Sequence, residues 1–380
     1  MQDYDSIRPF NDQEVRPVIQ RVLRNPEFGQ AASRLVMPKA LQGSTFGNAL
    51  TIFLLRQKTK DLNTVADCQN LVKHYFRRLV ANTISDLTVS GLQDLDPQET
   101  YLFISNHRDI VMDSGLLNFL LHDGGHDTCR MAVGDNLFGH ELAADLMRLN
   151  KSFIVERNLT GVRATLNSLN RTSHYIRHSL SEGASIWIAQ REGRSKDGWD
   201  RTDPALLKML ALAYKAEDAE PLKNMIAKTS LVPVSISYEL DPCALRKAHE
   251  LSVIDRDGAY AKQDEEDLQS IITGIVGFKG RVHLHFGLPI RSPVVDPVEL
   301  ALTLDRQILS NMRIYPTHVA AARMLSELDA ESRDLLPAVP ESAATMMKFE
   351  AQIQACPTQE QPFLVKQYAN PLLNRQALGL

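Results

Sequence analysis

Residues 101–121 read YLFISNHRDIVMDSGLLNFLL and combine a strand, a polar loop and a helix. Tyr101 to Ser105 is a short apolar run of the kind that forms a buried strand. Asp113 to Leu121 has the apolar spacing of a helix. His107 therefore lies just after a strand, at the edge where open α/β sheets place their sites. The segment predicts an α/β architecture and a candidate site together.

The same alternation of strands and helices extends to both sides of this segment. Further strands are predicted at 87–89, 130–133, 152–156, 185–189, 231–238 and 281–286. Further helices are predicted at 141–149, 160–180, 204–215 and 264–276. This order predicts an α/β fold with a central mixed, mostly parallel sheet flanked by helices. We expect an N-terminal helical region over 1–85, the α/β domain over 86–291 and a helical C-terminal extension over 292–380.

Composition excludes several classes of protein. The chain has 380 residues, 44% hydrophobic residues and a formal net charge of 42 − 46 = −4. These values are those of a globular protein, not of a disordered chain, a collagen or a strongly basic nucleic-acid-binding protein. We expect no nucleic-acid partner.

The cysteines and the apolar runs indicate the compartment. The four cysteines form no CxxC pair and are expected to be reduced thiols, as in the cytoplasm. No apolar stretch approaches the roughly 20 residues of a membrane-spanning helix, so any membrane contact must be peripheral.

The loop after the first quoted strand supplies a candidate general base. His107 is followed by Asp109 and Asp113, and a carboxylate beside an imidazole fixes its tautomer and stabilises the imidazolium. The alternative is that His107 only caps the helix and that Asp113 is an acid favoured by the helix dipole.

No metal site is predicted. His122 and His126 could be two metal ligands in a loop, but they have neither a helical register nor a cysteine partner. His283 and His285 alternate along a strand as a polar sheet face does.

Cations follow two other predicted strands. Arg157 comes directly after the strand at 152–156, where its guanidinium can bind a phosphate. The stretch QREGRSKDG at 190–198 places Arg191, Arg194 and Lys196 in a turn marked by Gly193 and Gly198. Such a turn can hold an anion, although a solvated basic turn is the commoner structure. A fourth stretch, Val232-Pro233-Val234, belongs to a core strand.

The order and spacing of these four stretches resemble the four blocks of the glycerol-3-phosphate and lysophosphatidate acyltransferase family. The blocks are Asn-His with a later aspartate, a Phe-Ile strand that ends in Arg, a Glu-Gly loop with Arg-Ser, and a Val-Pro-Val strand. They correspond here to His107, to Phe153-Ile154 with Arg157, to Glu192-Gly193-Arg194-Ser195, and to Val232-Pro233-Val234. The resemblance covers about residues 86–240.

Two positions depart from the family pattern. The aspartate expected five residues after His107 is Met112, and Asp113 follows one position late. Either Asp113 acts after a one-residue insertion, which we favour, or Asp109 substitutes for it. The third block lacks the family's extra Thr or Gly, and Gln190-Arg191 replaces its apolar-Pro lead-in.

The resemblance implies direct acyl transfer from a thioester, acyl-CoA or acyl carrier protein, to a hydroxyl of glycerol 3-phosphate or lysophosphatidate. No cofactor is expected beyond this co-substrate. His107 would take the hydroxyl proton, with Asp113 or Asp109 holding its ring. The remaining roles fall to two groups of side chains. The acceptor phosphate would be bound by Arg157, Arg194, Lys196 and Arg191. The substrate would be oriented by Glu192, Gly193 and Ser195.

The resemblance also implies a phospholipid precursor as partner and a site that opens toward a membrane. We expect a cytoplasmic protein bound peripherally at the inner face of the membrane. The cations considered for this contact are Arg16, Arg21, Arg24, Lys73, Arg77 and Arg78. Two alternatives stay open. In the first, the chain is a catalytically impaired relative that binds lipid or acyl carrier protein. In the second, it is an acyltransferase that uses a different lipid or glycan acceptor.

Overall fold

The computed structural model describes residues 4–139, 141–157, 159–215, 220–263, 266–325, 336–340 and 342–380. Its strands are β1 (Asp86–Ser90), β2 (Tyr101–Ser105), β3 (Arg130–Gly134), β4 (Ser152–Val155), β5 (Ile186–Ala189), β6 (Ser230–Tyr238) and β7 (Arg281–Phe286). Its α-helices before β6 are α1 (Asp12–Arg24), α2 (Pro26–Val36), α3 (Thr45–Thr59), α4 (Val65–Thr83), α5 (Met112–Asp123), α6 (Glu141–Leu149), α7 (Val162–Ser181), α8 (Pro204–Ala211) and α9 (Pro221–Lys228). Those after β6 are α10 (Ala244–Asp257), α11 (Glu266–Val276), α12 (Pro297–Ser310), α13 (Pro316–Met324), α14 (Ala343–Ala355) and α15 (Gln361–Ala377).

The chain divides into two compact units. The first comprises Met1–Tyr75 and Arg130–Ser168, and the second comprises Phe76–Cys129 and Leu169–Leu380. In the second unit five strands pair in the order β1-β7-β6-β2-β5. The pairs β1–β7, β6–β2 and β2–β5 are parallel, and β6–β7 is antiparallel. The sheet is therefore mixed and mostly parallel, as predicted.

Strand β2 occupies the centre of this sheet. All five of its residues are buried, because neighbouring strands and helices cover both of its faces. Its carboxyl end leads directly into the loop that carries His107. The site predicted from the sequence is thus positioned by a rigid and fully buried strand.

The second unit has a further apolar cluster formed by its C-terminal helices. Helix α15 packs against α10 and α13, with Leu364, Tyr368 and Leu372 among its buried residues. Phe349 of α14 contributes to the same cluster. The C-terminal residues are therefore an ordered part of the unit rather than a loosely attached tail.

In the first unit β3 and β4 pair in parallel, and the helices α1, α2, α3 and α6 surround a small core. Val15, Ile19 and Val22 of α1 are buried in it, as their spacing predicts. Glu14 accepts a hydrogen bond from the backbone N–H of Asn11, which caps the helix start. The helix continues through Pro17, which lies in its second turn.

Most predicted elements between residues 86 and 291 are confirmed within a few residues. Helix α8 is shorter than the predicted 204–215 and is followed by a 3-10 turn at Leu212–Tyr214. The predicted start of α11 at Asp264 lies outside the described residues. The three-part division at 85 and 291 stays a prediction. Among the described helices, none is both long and apolar enough to cross a bilayer.

Candidate active site

The centre of the candidate site is a histidine–carboxylate pair at the end of β2. His107 follows the strand, and Asp113 lies in the first turn of α5. The Nδ1 atom of His107 is 2.7 Å from Oδ2 of Asp113. A proton on Nδ1 directed at the carboxylate leaves Nε2 with a free lone pair. Among the described residues, none forms a hydrogen bond with Nε2.

Asp113 is fully buried and is surrounded by hydrogen-bond donors. Its Oδ2 accepts from the backbone N–H groups of Arg108 at 2.6 Å and of Asp109 at 3.0 Å. Its Oδ1 accepts from the hydroxyl of Tyr238 at 2.8 Å. Burial raises the pKa of Asp113, but the hydrogen bonds and the His107 charge outweigh it and hold that pKa below its usual value. The carboxylate is therefore ionised beside the histidine.

The other candidate carboxylate has a different position. Asp109 accepts hydrogen bonds through Oδ1 from the backbone N–H groups of Val111 at 3.0 Å and Met112 at 2.9 Å. These contacts cap the start of α5. Burial and the charge of Asp113 raise the pKa of Asp109. The structure thus places Asp113, and not Asp109, at the ring of His107.

Two further contacts hold the loop and the imidazole in place. The side chain of Asn106 pairs with the backbone of Ile236 in β6, with distances of 2.9 Å and 2.8 Å. The indole of Trp187 in β5 packs edge-to-face against His107, with ring centroids 5.7 Å apart. Its Nε1 donates to Ser105 Oγ at 2.9 Å, which fixes the indole. The histidine is positioned from both neighbouring strands.

Residues 191–200 form a loop, which we call the 191–200 loop. It is hydrogen-bonded to His107 and Arg108. The backbone N–H of Ser195 donates to the carbonyl of His107 at 2.7 Å. The guanidinium of Arg108 donates to Asp200 at 2.6 Å and to the carbonyl of Gly198 at 3.2 Å. Asp200 is almost wholly buried and Arg108 is largely buried, so this ion pair holds the loop beside His107.

The cations predicted for this loop differ in their contacts. Arg191 donates to the carbonyl of Trp199 at 3.1 Å and lies 3.5 Å from Asp197. Lys196 forms an ion pair with Glu250 of α10. Arg194 is half-buried, and among the described residues it has no hydrogen-bond or ion-pair partner. Arg194 is therefore the loop cation that the protein itself neutralises least.

The three remaining loop residues predicted to bind substrate also differ. Glu192 and Gly193 are exposed at the tip of the loop. Ser195 is buried, and its hydroxyl donates to the carbonyl of Trp199 at 3.1 Å. The hydroxyl of Ser195 thus stabilises the loop, whereas the tip is exposed to solvent.

Arg157 belongs to the first unit and lies two residues after the end of β4. Its backbone N–H donates to Asp135 Oδ2 at 3.2 Å, and its guanidinium lies against Gly134, where a Cβ atom would come within 2.8 Å of Cζ. The side chain is exposed. Its role with the acceptor stays a prediction.

The sequence reasoning assigned no role to Tyr238, Arg108, Asp200 or Trp187. Tyr238 is the last residue of β6, the strand that contains the Val-Pro-Val stretch, and a polar residue at that end is a usable signal. Asp200 and Trp187 reach the site only through the folding of the sheet and the loop.

The histidines considered as metal ligands have other partners. His283 lies 2.7 Å from Thr88 Oγ1 and 3.0 Å from Ser90 Oγ, and His285 lies 2.8 Å from the same Ser90 oxygen. They form the polar sheet face that the alternation predicts. In the part of the chain that the structure describes, no group of three or more His, Cys, Asp or Glu residues is arranged to hold a metal ion.

The stretch of sequence that contains this site matches a known family model. Residues 86–237 match the family model described as Acyltransferase. The match covers 237 − 86 + 1 = 152 of the 380 residues, and this stretch is similar to that family. The match contains His107, Asp113, Arg157 and the 191–200 loop, so the resemblance deduced from their spacing is confirmed at this level. The sequence matches no curated protein.

Two solved structures show limited similarity to this chain. One is the 1-acyl-sn-glycerophosphate acyltransferase PlsC from Thermotoga maritima, with 13% identity, 78% of this chain and 94% of that chain covered, and a TM-score of 0.39. The other is the signal recognition particle receptor FtsY from Elizabethkingia anophelis in complex with GDP, with 12% identity, coverages of 71% and 84%, and a TM-score of 0.22.

Proposed function

We propose that this acyltransferase moves an acyl group from a thioester, acyl-CoA or acyl carrier protein, to a hydroxyl of glycerol 3-phosphate or lysophosphatidate. The observation that supports it most is the pairing of His107 with a buried, ionised Asp113 beside a loop rich in cations. The pair provides a base for a hydroxyl, and the loop provides charge for a phosphate.

The proposed reaction needs no residue as nucleophile. Nε2 of His107 takes the proton of the acceptor hydroxyl while the hydroxyl oxygen attacks the thioester carbonyl. The tetrahedral intermediate then expels the thiolate, which receives the proton from the imidazolium and leaves as a thiol. Asp113 stabilises the imidazolium between these two steps. Holding both reactants in line supplies much of the acceleration, with orientation contributing about 7–11 kcal/mol in favourable cases.

The acceptor phosphate would lie over the 191–200 loop. Arg194 has the guanidinium best suited to it, and Arg191 lies on the same loop with Asp197 as a competing partner. Lys196 would contribute only after it separates from Glu250. The exposed Glu192 at the tip would accept a hydrogen bond from a second hydroxyl of the acceptor.

A peripheral membrane contact is part of the proposal, and helix α3 supports it better than the cations first considered. Arg21 forms an ion pair with Asp145 at 2.6 Å, and Arg77 forms one with Asp123 at 3.0 Å. On α3, Phe46 and Phe53 have 66% and 57% of their surface exposed.

The charge around α3 supports the same contact. Residues 28–60 contain five cations and no acidic residue, whereas the whole chain has a net charge of −4. A cationic segment with exposed aromatic side chains binds an anionic bilayer surface. This contact would place the enzyme at the inner face of the membrane, where its phospholipid precursors lie.

The test is an acyl-transfer assay read by mass spectrometry. Purified protein is incubated with acyl-CoA or acyl carrier protein and, in parallel, with glycerol 3-phosphate, lysophosphatidate and a mixed lipid extract. We expect an acylated phosphate-containing product with wild type and none with His107→Ala. A product from a non-phosphate acceptor in the extract would show a different acceptor. No product with any acceptor, together with binding to vesicles or carrier protein, would show a non-catalytic relative.

A further inference from the structure

The C-terminal helix α15 runs beside the 191–200 loop and binds its backbone. Nδ2 of Asn370 donates to the carbonyl of Asp197 at 2.7 Å, and Nδ2 of Asn374 donates to the carbonyl of Asp200 at 2.6 Å. The two asparagines are four residues apart and therefore share one face of the helix. That face holds two peptide groups of the loop.

A backbone contact lies between these two hydrogen bonds. A Cβ atom added to Gly198 would come within 2.1 Å of the carbonyl oxygen of Gln367, so helix and loop touch directly there. Pro371 has no N–H and cannot donate to that carbonyl, as residue 371 does in a regular helix. Helix α15 thus meets the loop at residues 367, 370 and 374, and the loop cannot shift without disturbing all three contacts.

The opposite side of the loop is bound to the catalytic segment. Ser195 donates to the carbonyl of His107, and Arg108 binds Asp200 and the carbonyl of Gly198. The loop is therefore held between the residues next to His107 and helix α15. Because Asp197 and Trp199 are the partners of Arg191, moving the loop backbone would also move this guanidinium.

We infer that Asn370 and Asn374 are positioning residues that hold the cations of the 191–200 loop where they bind the phosphate of the acceptor. The inference rests on the proposed function, in which this loop binds a phosphate monoester. The asparagines touch the carbonyls of Asp197 and Asp200 rather than the substrate. They act through the loop, and they assign a function to a helix outside the segment that matches the acyltransferase family model.

The first test compares acceptor and donor kinetics. Asn370→Ala and Asn374→Ala should each raise the KM for the phosphate acceptor about threefold to tenfold, as expected for one lost hydrogen bond. The KM for the acyl donor should stay unchanged. Asn374→Asp keeps the size of the side chain but turns an oxygen toward the carbonyl of Asp200, so it should raise the acceptor KM at least as much as Ala.

Gln361→Ala provides the matched control on the same helix. Its amide donates to the carbonyls of Ile353 and Cys356, which belong to α14 and its end rather than to the loop. It should leave the acceptor KM unchanged. An unchanged acceptor KM in both asparagine variants would overturn the inference, even if their melting temperatures fall.

The second test uses inorganic phosphate without any acyl donor, so it does not depend on acyl transfer. Phosphate binding is followed by tryptophan fluorescence, because Trp199 lies in the loop and the chain has only one other tryptophan, Trp187. Binding that weakens in both asparagine variants, but not in Gln361→Ala, would support the inference even if the proposed reaction fails. Absence of phosphate binding in wild type, or equal binding in all variants, would overturn it.

Discussion

Nδ1 of His107 lies 2.7 Å from Oδ2 of Asp113, a carboxylate that has no exposed surface. Its surroundings consist of donors: two backbone N–H groups and the hydroxyl of Tyr238. Such an environment favours the ionised carboxylate and fixes the imidazole with its second nitrogen free. The pair is therefore arranged for proton transfer before any substrate binds.

The first prediction separates the two aspartates near His107. Asp113→Asn should lower kcat for acyl transfer at least about 100-fold, because the amide can neither fix the tautomer nor stabilise the imidazolium. Asp109→Asn should keep most of the activity, since Asn caps a helix about as well as Asp. Steady-state kinetics of the two variants, with circular dichroism to verify folding, decide the matter. Equal losses in both would contradict the assignment of Asp113.

The second prediction concerns Tyr238. Burial and the charge of Asp113 raise the pKa of Tyr238 well above its usual value, so its hydroxyl remains a donor at all working pH values. Tyr238→Phe removes a hydrogen bond from the ionised form of Asp113 and should raise the pKa of that carboxyl. The acid limb of the pH–rate profile should therefore shift to higher pH, with a stability loss of about 1 kcal/mol.

The control for this shift is Tyr260→Phe. Tyr260 also donates to a carboxylate, that of Glu266, at 2.8 Å, but this pair lies between the loop after α10 and the start of α11. Removal of the Tyr260 hydroxyl should leave the acid limb of the pH–rate profile unshifted. An unshifted acid limb in Tyr238→Phe would show that this hydroxyl does not tune Asp113.

The sequence predicted the α/β segment well because its signals are local. Runs such as 101–105 and 281–286 are short, apolar and bounded by polar turns, and their strands appear where expected. Helix α15 gave no comparable signal. Gln367 and Asn374 are buried on it together with Leu364 and Tyr368, so polar and apolar residues share its inward faces. A helix buried on a polar face lacks the amphipathic pattern on which sequence-based prediction depends.

Within the site, contacts between residues close in sequence could be predicted, whereas contacts between distant residues could not. His107 and Asp113 are six residues apart, and one turn of the chain is enough to bring them together. Tyr238 and Asp200 are 125 and 87 residues from Asp113, and only the pairing of β6 with β2 and the return of the 191–200 loop bring them there. The sequence therefore predicted that Asp113 lies at His107, but not the residues that hold this pair in place.

The third prediction compares two glycines of the loop. Gly193 and Gly198 have similar left-handed φ angles of +72° and +77°. A Cβ atom at Gly193 would meet nothing within 4 Å, whereas at Gly198 it would meet the carbonyl of Gln367 at 2.1 Å. Gly193→Ala should cost about 1–2 kcal/mol for the backbone conformation alone. Gly198→Ala should cost about 1–3 kcal/mol more, because α15 must move.

Urea unfolding of both glycine variants measures this difference. Both variants lose stability because alanine disfavours the left-handed backbone conformation. The additional loss of unfolding free energy in Gly198→Ala therefore measures the contact between the loop and α15. Equal destabilisation would mean that the helix does not constrain the loop at this point.

The fourth prediction concerns acid stability and depends on His318. This residue is buried, its Nδ1 accepts from the backbone N–H of Tyr315 at 3.2 Å, and its Nε2 lies 3.2 Å from the carbonyl of Tyr238. The neutral ring satisfies both contacts, whereas a second proton on Nδ1 would face the N–H of Tyr315. The pKa of His318 is lowered to about 3, mainly by burial and to a smaller extent by the charge of Arg108.

Because the pKa of His318 is lower in the folded chain than in the unfolded one, the unfolded chain binds the extra proton first. This contribution to stability is complete above pH ~6.5 and declines as the pH falls toward the folded value. Between pH 7 and pH 5 the free energy of unfolding should fall by about 2 kcal/mol from this group alone. In His318→Gln, whose amide can donate and accept but does not titrate, that part of the decline should vanish in urea unfolding. A variant that loses as much stability on acidification as wild type would show that His318 is not the group responsible.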